Sequence, residues 1–202
     1  MVDTGLVTRR LCVVALAALG ALASFPRGVQ AQDDPLRGGR FEVGVTTGAG
    51  SFQSKSGLES CRWYGLRLGH RFAPFPGNEK LRVGLRTGWE GCLTNHETEG
   101  RVDVIHVNAG LYFGIQPSKP WLMYWFTGVG ELLGDSTPGP GDKVEPRFSI
   151  HLGPGATWAF SDRFLLDASI MGVVFEGFEL GGESAAGSTF GLVPNLMLAL
   201  QI

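Results

Sequence analysis

This chain is poor in charge and, after its first 31 residues, has no long apolar run. Charged residues make up only 18% of the 202 residues, whereas hydrophobic residues make up 44%. No stretch after residue 31 approaches the ~18 unbroken apolar residues of a membrane-spanning helix. The basic residues do not cluster, and residues 32–202 hold 14 basic and 18 acidic residues, a net charge of −4. The sequence therefore predicts neither helical membrane spans nor binding to nucleic acid.

The first 31 residues have the composition of an export signal. Two arginines at positions 9 and 10 precede an apolar run over residues 11–25, and the small-residue sequence VQA follows at 29–31. This order predicts a secretory signal peptide over residues 1–31 that is cleaved after Ala31. An uncleaved anchor helix is the alternative, although the run is shorter than the ~20 residues that a span needs.

Cysteine is also scarce. Cys12 leaves with the predicted signal peptide, so Cys61 and Cys92 remain. An even number of cysteines in an exported chain favours a disulfide. Two free thiols are the alternative.

What remains after the signal alternates between apolar and polar residues, with little helical periodicity. Alternation over about ten residues is typical of a β-strand with two different faces. The pattern predicts eight strands, in the segments RFEVGVTTGAG, CRWYGLRLGHRF, LRVGLRTGWEG, VDVIHVNAGLYFGI, WLMYWFTGVGELL, RFSIHLGPGATWAF, LLDASIMGVVF and STFGLVPNLMLALQI.

The connections between these segments alternate in length. Longer polar stretches such as CLTNHETEG and GDSTPGPGDKVEP alternate with shorter ones such as QPSKP and SDR. In an antiparallel meander, alternate connections lie at opposite ends, so one end carries loops and the other carries turns. Short periplasmic turns and long extracellular loops are typical of bacterial outer-membrane barrels.

The residue types on the polar face of the strands indicate whether the apolar face points to lipid or to the interior of the barrel. A soluble barrel of the lipocalin type has its apolar face inside, and its exterior should carry long charged side chains. Here the polar face is crowded with glycine, which suits a narrow interior better than an exterior. We therefore predict that the polar face lines the lumen, where a charge network plugs the barrel. Its predicted members are Glu42, Arg67, Arg82, Arg86, Glu90, His106 and His151.

Aromatic residues gather at both ends of the apolar face. Such clustering is expected of the two aromatic belts that meet the membrane interfaces, whereas strand propensity alone explains only their presence. The belt beside the turns is predicted at Phe72, Phe113, Trp121, Trp158 and Phe160. The belt beside the loops is predicted at Tyr64, Trp89, Phe148 and Phe190.

Together these features resemble the small eight-stranded outer-membrane β-barrel family of the OmpA/OmpX type. The resemblance covers roughly residues 38–202 and is strongest at HLGPGATWAFSDRFLLDASI. It implies a closed, antiparallel, up-and-down transmembrane β-barrel over residues 40–202, after a short periplasmic segment at 32–39. It also implies the outer membrane of a Gram-negative bacterium, contact with membrane lipid and lipopolysaccharide, a monomeric state, and insertion by the barrel-assembly machinery. In that family the last strand usually ends in Phe or Trp, whereas this chain ends in Ile202.

The second and third strands form a hairpin with a predicted turn near Pro76-Gly77. Positions whose numbers sum to about 153 then face each other, which pairs Cys61 with Cys92 and brings Arg67 beside Arg86. On the sixth strand, Gly153-Pro154-Gly155 predicts a bulge, because proline removes a donor from the ladder.

Three other functions remain open. A lipid-modifying enzyme would need a nucleophile, a base and an acid, and Ser149, His151 and Glu131 form the best set. That set is poor, since lipid A deacylases have the order His-x-Ser, which SIH reverses. The second is a soluble ligand-binding barrel, and the third is a narrow pore lined by arginines. No nucleotide motif or metal-ligand spacing appears, so we expect no cofactor and no metal.

Overall fold

A computed structural model describes residues 34–36, 38–53, 58–74, 77–96, 100–136, 147–176, 179–180, 183–184 and 188–202. The predicted signal peptide lies outside these ranges and stays a prediction. Within the described ranges, no helix is long and apolar enough to cross a membrane. The strands are β1 Arg40–Phe52, β2 Cys61–Arg71, β3 Leu81–His96, β4 Gly100–Ser118, β5 Trp121–Ser136, β6 Arg147–Ala159, β7 Phe164–Glu176, β8 Glu179–Leu180, β9 Glu183–Ser184 and β10 Ser188–Gln201.

Eight of these strands, β1–β7 and β10, form one closed antiparallel barrel. The first and last strands pair, and Phe41 and Ile202 exchange backbone hydrogen bonds of 3.1 and 2.9 Å at the seam. The predicted eight-stranded barrel is therefore confirmed. Closure leaves neither edge of the apolar strand β10 unpaired. The short strands β8 and β9 form a separate hairpin in the connection before β10.

The stagger of the strands makes this a narrow barrel. The stagger is measured by starting at Glu131 and stepping from each residue to the one directly opposite it on the next strand. One circuit of the barrel returns to β5 at Trp121, ten residues from the start. For eight strands this stagger corresponds to a tilt of roughly 40–45° and an interior that side chains can fill.

The two faces of every barrel strand differ as the alternation predicts. Charged and polar residues such as Glu42, Arg86 and His106 are buried in the lumen, whereas large apolar residues such as Val45, Ile115 and Met123 are about 60% exposed on the outside. The soluble-barrel alternative required the opposite arrangement, with the apolar face inside. It is wrong.

Strand lengths differ from the prediction at the β3–β4 connection. The segment CLTNHETEG was expected to be a loop, but β3 continues to His96 and β4 begins at Gly100. Cross-strand pairing continues up to His96 and Gly100, so most of this polar segment extends the sheet.

The register of the β2–β3 hairpin also differs from the prediction, by two residues. Trp63 faces Cys92, Arg67 faces Gly88, and Arg86 faces Gly69. Arg67 and Arg86 are therefore diagonal neighbours and not a direct pair. A shift of two residues keeps every side chain on its predicted face, because strand side chains alternate with a period of two.

Two of the three strand prolines, Pro154 and Pro194, lie where a ladder is interrupted. Pairing of β6 with β7 skips Gly153 and Pro154 but resumes in the same register, so the predicted bulge is wrong. Pro194 has the same explanation. The pairing of β1 with β10 stops after Gly48–Asn195 and resumes at Ser51–Leu192. No residue of β1 therefore needs a hydrogen bond from the backbone N–H that Pro194 lacks.

Eight of the nine predicted belt residues are exposed on the outer face. The exception is Phe190, which is half-buried and lies over Gly172 of the neighbouring strand. Near the short turns the rings of β5 to β7 contact one another, since Trp121 stacks on Trp158 at 6.0 Å and Phe160 stacks on Phe164 at 6.0 Å.

Candidate functional site

The lumen holds almost all of the buried charge of the described chain, in layers from the turn end to the loop end. Four arginines form ion pairs there with four carboxylates: Arg67, Arg71, Arg82 and Arg86 with Asp34, Glu42, Glu90 and Asp167. Arg71–Glu42 and Arg67–Glu90 join neighbouring strands, whereas Arg86–Asp167 joins β3 to β7 across the lumen.

The turn end of the lumen is closed by the segment that precedes β1, residues 34–36. Leu36 is fully buried there. Arg82 contacts the Asp34 carboxylate at 3.2 Å and donates to the Leu36 carbonyl at 3.3 Å. Gln116 donates to Asp34 at 2.8 Å, and Gln201 donates to the Pro35 carbonyl at 2.6 Å. Residues 34–36 therefore form a plug, and Arg82, a predicted member of the lumen charge network, holds that plug.

Above the plug lies a layer built on Glu42 and Arg71. The Arg71 guanidinium, which is fully buried, pairs with Glu42. It also donates to the Tyr112 hydroxyl at 3.2 Å and to the Gln201 side-chain oxygen at 3.3 Å. These contacts satisfy most of its donors without water, as a buried guanidinium requires.

The central layer is built on Arg86 and Asp167. Their closest atoms are 2.9 Å apart, and the second carboxylate near Arg86, that of Glu42, is 3.6 Å away. Asp167 also accepts from Thr157 at 2.6 Å and from the Tyr124 hydroxyl at 2.8 Å. The guanidinium lies 4.6 Å from the centre of the Tyr124 ring. This layer fills the middle of the lumen with a buried ion pair, in which the Arg86 Nε has no hydrogen-bond partner among the described residues.

The next layer joins Arg67 and Glu90, whose side chains are 2.6 Å apart. The indole nitrogen of Trp63 donates to the other oxygen of Glu90 at 3.0 Å, and the Thr46 hydroxyl contacts Glu90 at 3.4 Å. Glu90 therefore has its charge paired and both oxygens in use.

His106 and His151 lie beside this layer. The His106 ring contacts the Ser149 hydroxyl through Nε2 at 3.0 Å and the Asn108 amide through Nδ1 at 3.2 Å. The His151 ring meets His106 edge to face, with centroids 5.6 Å apart. A cavity of about 20 Å³ remains beside His151, between Arg67, Arg86 and Asn108. It has room for about one water molecule.

The loop end of the lumen is apolar. Cys61 and Cys92 form a disulfide there, with their Cα atoms 5.9 Å apart. Buried side chains from six barrel strands and the β1–β2 connection pack around it, among them Leu58, Trp63, Phe175 and Val193. Both ends of the lumen are thus filled, one by the plug and the other by this cluster.

Within the described ranges, no group of three His, Cys, Asp or Glu side chains is arranged to hold a metal ion.

No protein-family model matches the chain, and no curated protein matches it in sequence. Several solved structures share its fold, including those of three proteins. The N-terminal β-barrel domain of Pseudomonas aeruginosa OprF has a TM-score of 0.51 at 13% identity, covering 80% of this chain and 97% of that one.

Ail, the attachment invasion locus protein of Yersinia pestis, has a TM-score of 0.51 at 13% identity, covering 81% of this chain and 97% of that one. The outer membrane enzyme PagL has a TM-score of 0.50 at 12% identity, covering 77% and 97%. The chain has the fold of the small eight-stranded outer-membrane barrels. At these identities the likeness concerns the fold alone.

One of these outer-membrane barrels is an enzyme, so the candidate catalytic set needs separate examination. Glu131 is exposed on the outer face, where it pairs with Phe148, and it cannot join Ser149 and His151 in the lumen. Ser149 contacts His106 instead of His151. Ser149 and His106 are both fully buried, which leaves no path for a lipid. The candidate set is not assembled in the structure, and the contact between His106 and Ser149 is part of the lumen filling.

Three important lumen residues were missed by sequence reasoning. Arg71 and Tyr112 share the inward parity of predicted members, so alternation could have found both. Asp167 is harder, because β7 is apolar on both faces. A lone carboxylate in such a strand is energetically unfavourable on the lipid-facing side and is expected inside the barrel. That expectation could have identified Asp167.

The disulfide gives a testable contribution to stability. It closes a loop of 31 residues, and replacing both Cys61 and Cys92 by serine is expected to lower the free energy of unfolding by ~3–4 kcal/mol in the chain-entropy description. Urea unfolding followed by tryptophan fluorescence measures the change. The wild type in reductant should match the double variant, and equal stability with and without the bond would contradict the expectation.

Proposed function

We propose that this protein is a membrane-inserted, non-conducting barrel of the bacterial outer membrane, exported by a cleaved signal peptide and not an enzyme. It acts through its surface, as a structural or interaction protein. One observation carries this proposal: the outer face is apolar all around, while the lumen is filled from the plug at Leu36 to the disulfide at Cys61. A barrel filled in this way offers lipid and solvent only its outer wall and its loops.

The proposal includes membrane lipid and lipopolysaccharide as the surroundings of a monomer, and the barrel-assembly machinery as the partner during insertion. The apolar outer wall supports contact with acyl chains, and exposed aromatic residues at both ends support two interfaces. Loops on a rigid scaffold are where binding to other molecules usually occurs.

Cell fractionation with gel electrophoresis tests the membrane assignment. The protein is expected in the outer-membrane fraction, and its band should shift when the sample is boiled, because a closed barrel resists SDS until heated. Recovery from the soluble periplasm, without a heat-dependent shift, would overturn the proposal.

Conductance in planar bilayers separates the plugged barrel from the narrow pore. No steady ion conductance is expected, since the Arg86–Asp167 and Arg67–Glu90 layers occupy the lumen and the remaining cavity is about 20 Å³. A stable open level in the wild type, with a conductance or ion selectivity that changes in an Arg86→Ala or Glu90→Ala variant, would favour the pore.

A further inference from the structure

The outer wall has a deep notch at the loop end of β2, β3 and β4. In the row of directly opposed residues Tyr64, Gly91 and Ile105, the middle position has no side chain. Trp89 stands two residues from Gly91 on one side and Leu93 on the other, so large side chains surround the gap. The groove they line has a volume of about 530 Å³, which is in the range of small-molecule sites, roughly 300–1,000 Å³.

The glycine at the floor of the notch is required by its backbone neighbours. A Cβ atom at Gly91 would lie 2.7 Å from the carbonyl oxygen of Val104. The nearest side-chain atom to that Cβ position belongs to Ile105, at 3.7 Å. The notch is therefore a fixed feature of the wall, and a larger side chain at Ile105 could fill it without disturbing the Gly91 backbone.

The position of the notch identifies its occupant. Its walls include Tyr64 and Trp89, which belong to the outer aromatic belt, so it opens where lipid headgroups meet acyl chains. On this membrane-facing side, the apolar molecule available to fill it is a lipid chain. Gly91 thus lies at a level where both the chain and the headgroup of one lipid can contact the wall.

The charges around the notch orient that lipid. Arg62 is exposed on the outer face, two residues from Tyr64 and directly opposite Leu93. The nearby carboxylates are Asp103, which is opposite Leu93 on β4 and lines the groove itself, and Glu59 in the connection before β2, which accepts a 3.0 Å hydrogen bond from Asn95. An anionic headgroup is therefore favoured over β2, beside Arg62, and disfavoured over β4, beside Asp103.

We propose that this notch is a binding site for one phosphorylated lipid, with an acyl chain against Gly91 and a phosphate at Arg62. The inference rests on the proposed membrane-inserted function. It goes further by assigning one lipid site on a wall that otherwise meets lipid without preference.

Native mass spectrometry of the folded protein in detergent tests the site. The probes are diphosphorylated lipid A, dephosphorylated lipid A and phosphatidylethanolamine. The wild type should retain one diphosphorylated lipid A molecule in preference to the other two. An Ile105→Trp variant should lose it, and an Arg62→Glu variant should lose the preference for phosphate.

Matched controls sit elsewhere on the same barrel. Ile170→Trp enlarges an exposed residue on β7, and Arg163→Glu reverses an exposed charge at the turn end. Both should bind like the wild type. Equal loss in Ile105→Trp and Ile170→Trp, or no retained lipid at all, would overturn the site. A dimer sensitive to Ile105→Trp would also overturn it, because the notch would then fit a second copy.

The heat-dependent gel shift is measured on every variant. Loss of lipid with the shift intact rejects only the lipid site, whereas a wild type without any shift rejects the membrane-inserted barrel itself.

Discussion

Replacing Asp167 by asparagine is expected to lower the free energy of unfolding by about 3–5 kcal/mol. Asp167 is fully buried and is the nearest carboxylate to Arg86, which keeps only Glu42 at 3.6 Å when the aspartate is gone. Glu42 already pairs with Arg71, so two guanidinium groups would then share one carboxylate. Leaving a charge unpaired in a dry interior is more costly than losing the pair altogether.

A double variant separates these two costs. Asp167→Asn combined with Arg86→Gln removes both charges, and it should regain part of the stability lost in the single variant. Asp162→Asn, an exposed aspartate in the β6–β7 turn, is the matched control and should change stability by less than about 0.5 kcal/mol. Urea unfolding measured through the five tryptophans gives all the values. A double variant no more stable than Asp167→Asn alone would contradict the unpaired-charge explanation.

Alternation predicted the barrel because the two faces of each strand meet very different environments. Each strand needs one face for lipid and one for a narrow interior, and glycine among charged residues such as Arg67 and Glu90 marks the inner face. The signal was weakest in β5 and β7, which are apolar on both faces. That is where Glu131 was considered as a partner of Ser149 and His151, which it does not join, and where Asp167 was missed.

Registers and partners were harder to predict than faces. The β2–β3 connection covers residues 72–80, too long for a tight turn to fix which residues oppose each other, and the register came out two residues away from the prediction. Contacts across the lumen, such as Arg86 with Asp167 or His106 with Ser149, join strands that are not neighbours. They follow from closure and stagger, which no local pattern encodes.

The plug at the turn end gives the second large effect. Leu36→Asp is expected to lower the free energy of unfolding by at least about 3–5 kcal/mol, since it loses a fully buried side chain and places a carboxylate in an apolar site. Leu36 packs in a cluster with Tyr112, Leu122 and Leu165. Asp34, two residues away, would add like-charge repulsion.

A comparison of leucines shows whether burial in the plug causes the loss. Leu36→Ala should cost about 2–5 kcal/mol, whereas Leu200→Ala, at an outer-face position that is 40% exposed, should cost about 1 kcal/mol or less. Equal costs at the two positions would show that residues 34–36 do not hold the barrel as described.

Conductance of the same Leu36 variants decides whether the plug is a gate. The Arg71–Glu42, Arg86–Asp167 and Arg67–Glu90 layers remain above the plug when Leu36 is shortened. We therefore expect Leu36→Ala to destabilise the barrel without opening it to ions. A steady current through this variant would show instead that the layers leave a path and that residues 34–36 alone close it. Because the Arg86–Asp167 pair joins β3 to β7 across the lumen and the other two layers fill the space on either side of it, we expect loss of stability without current.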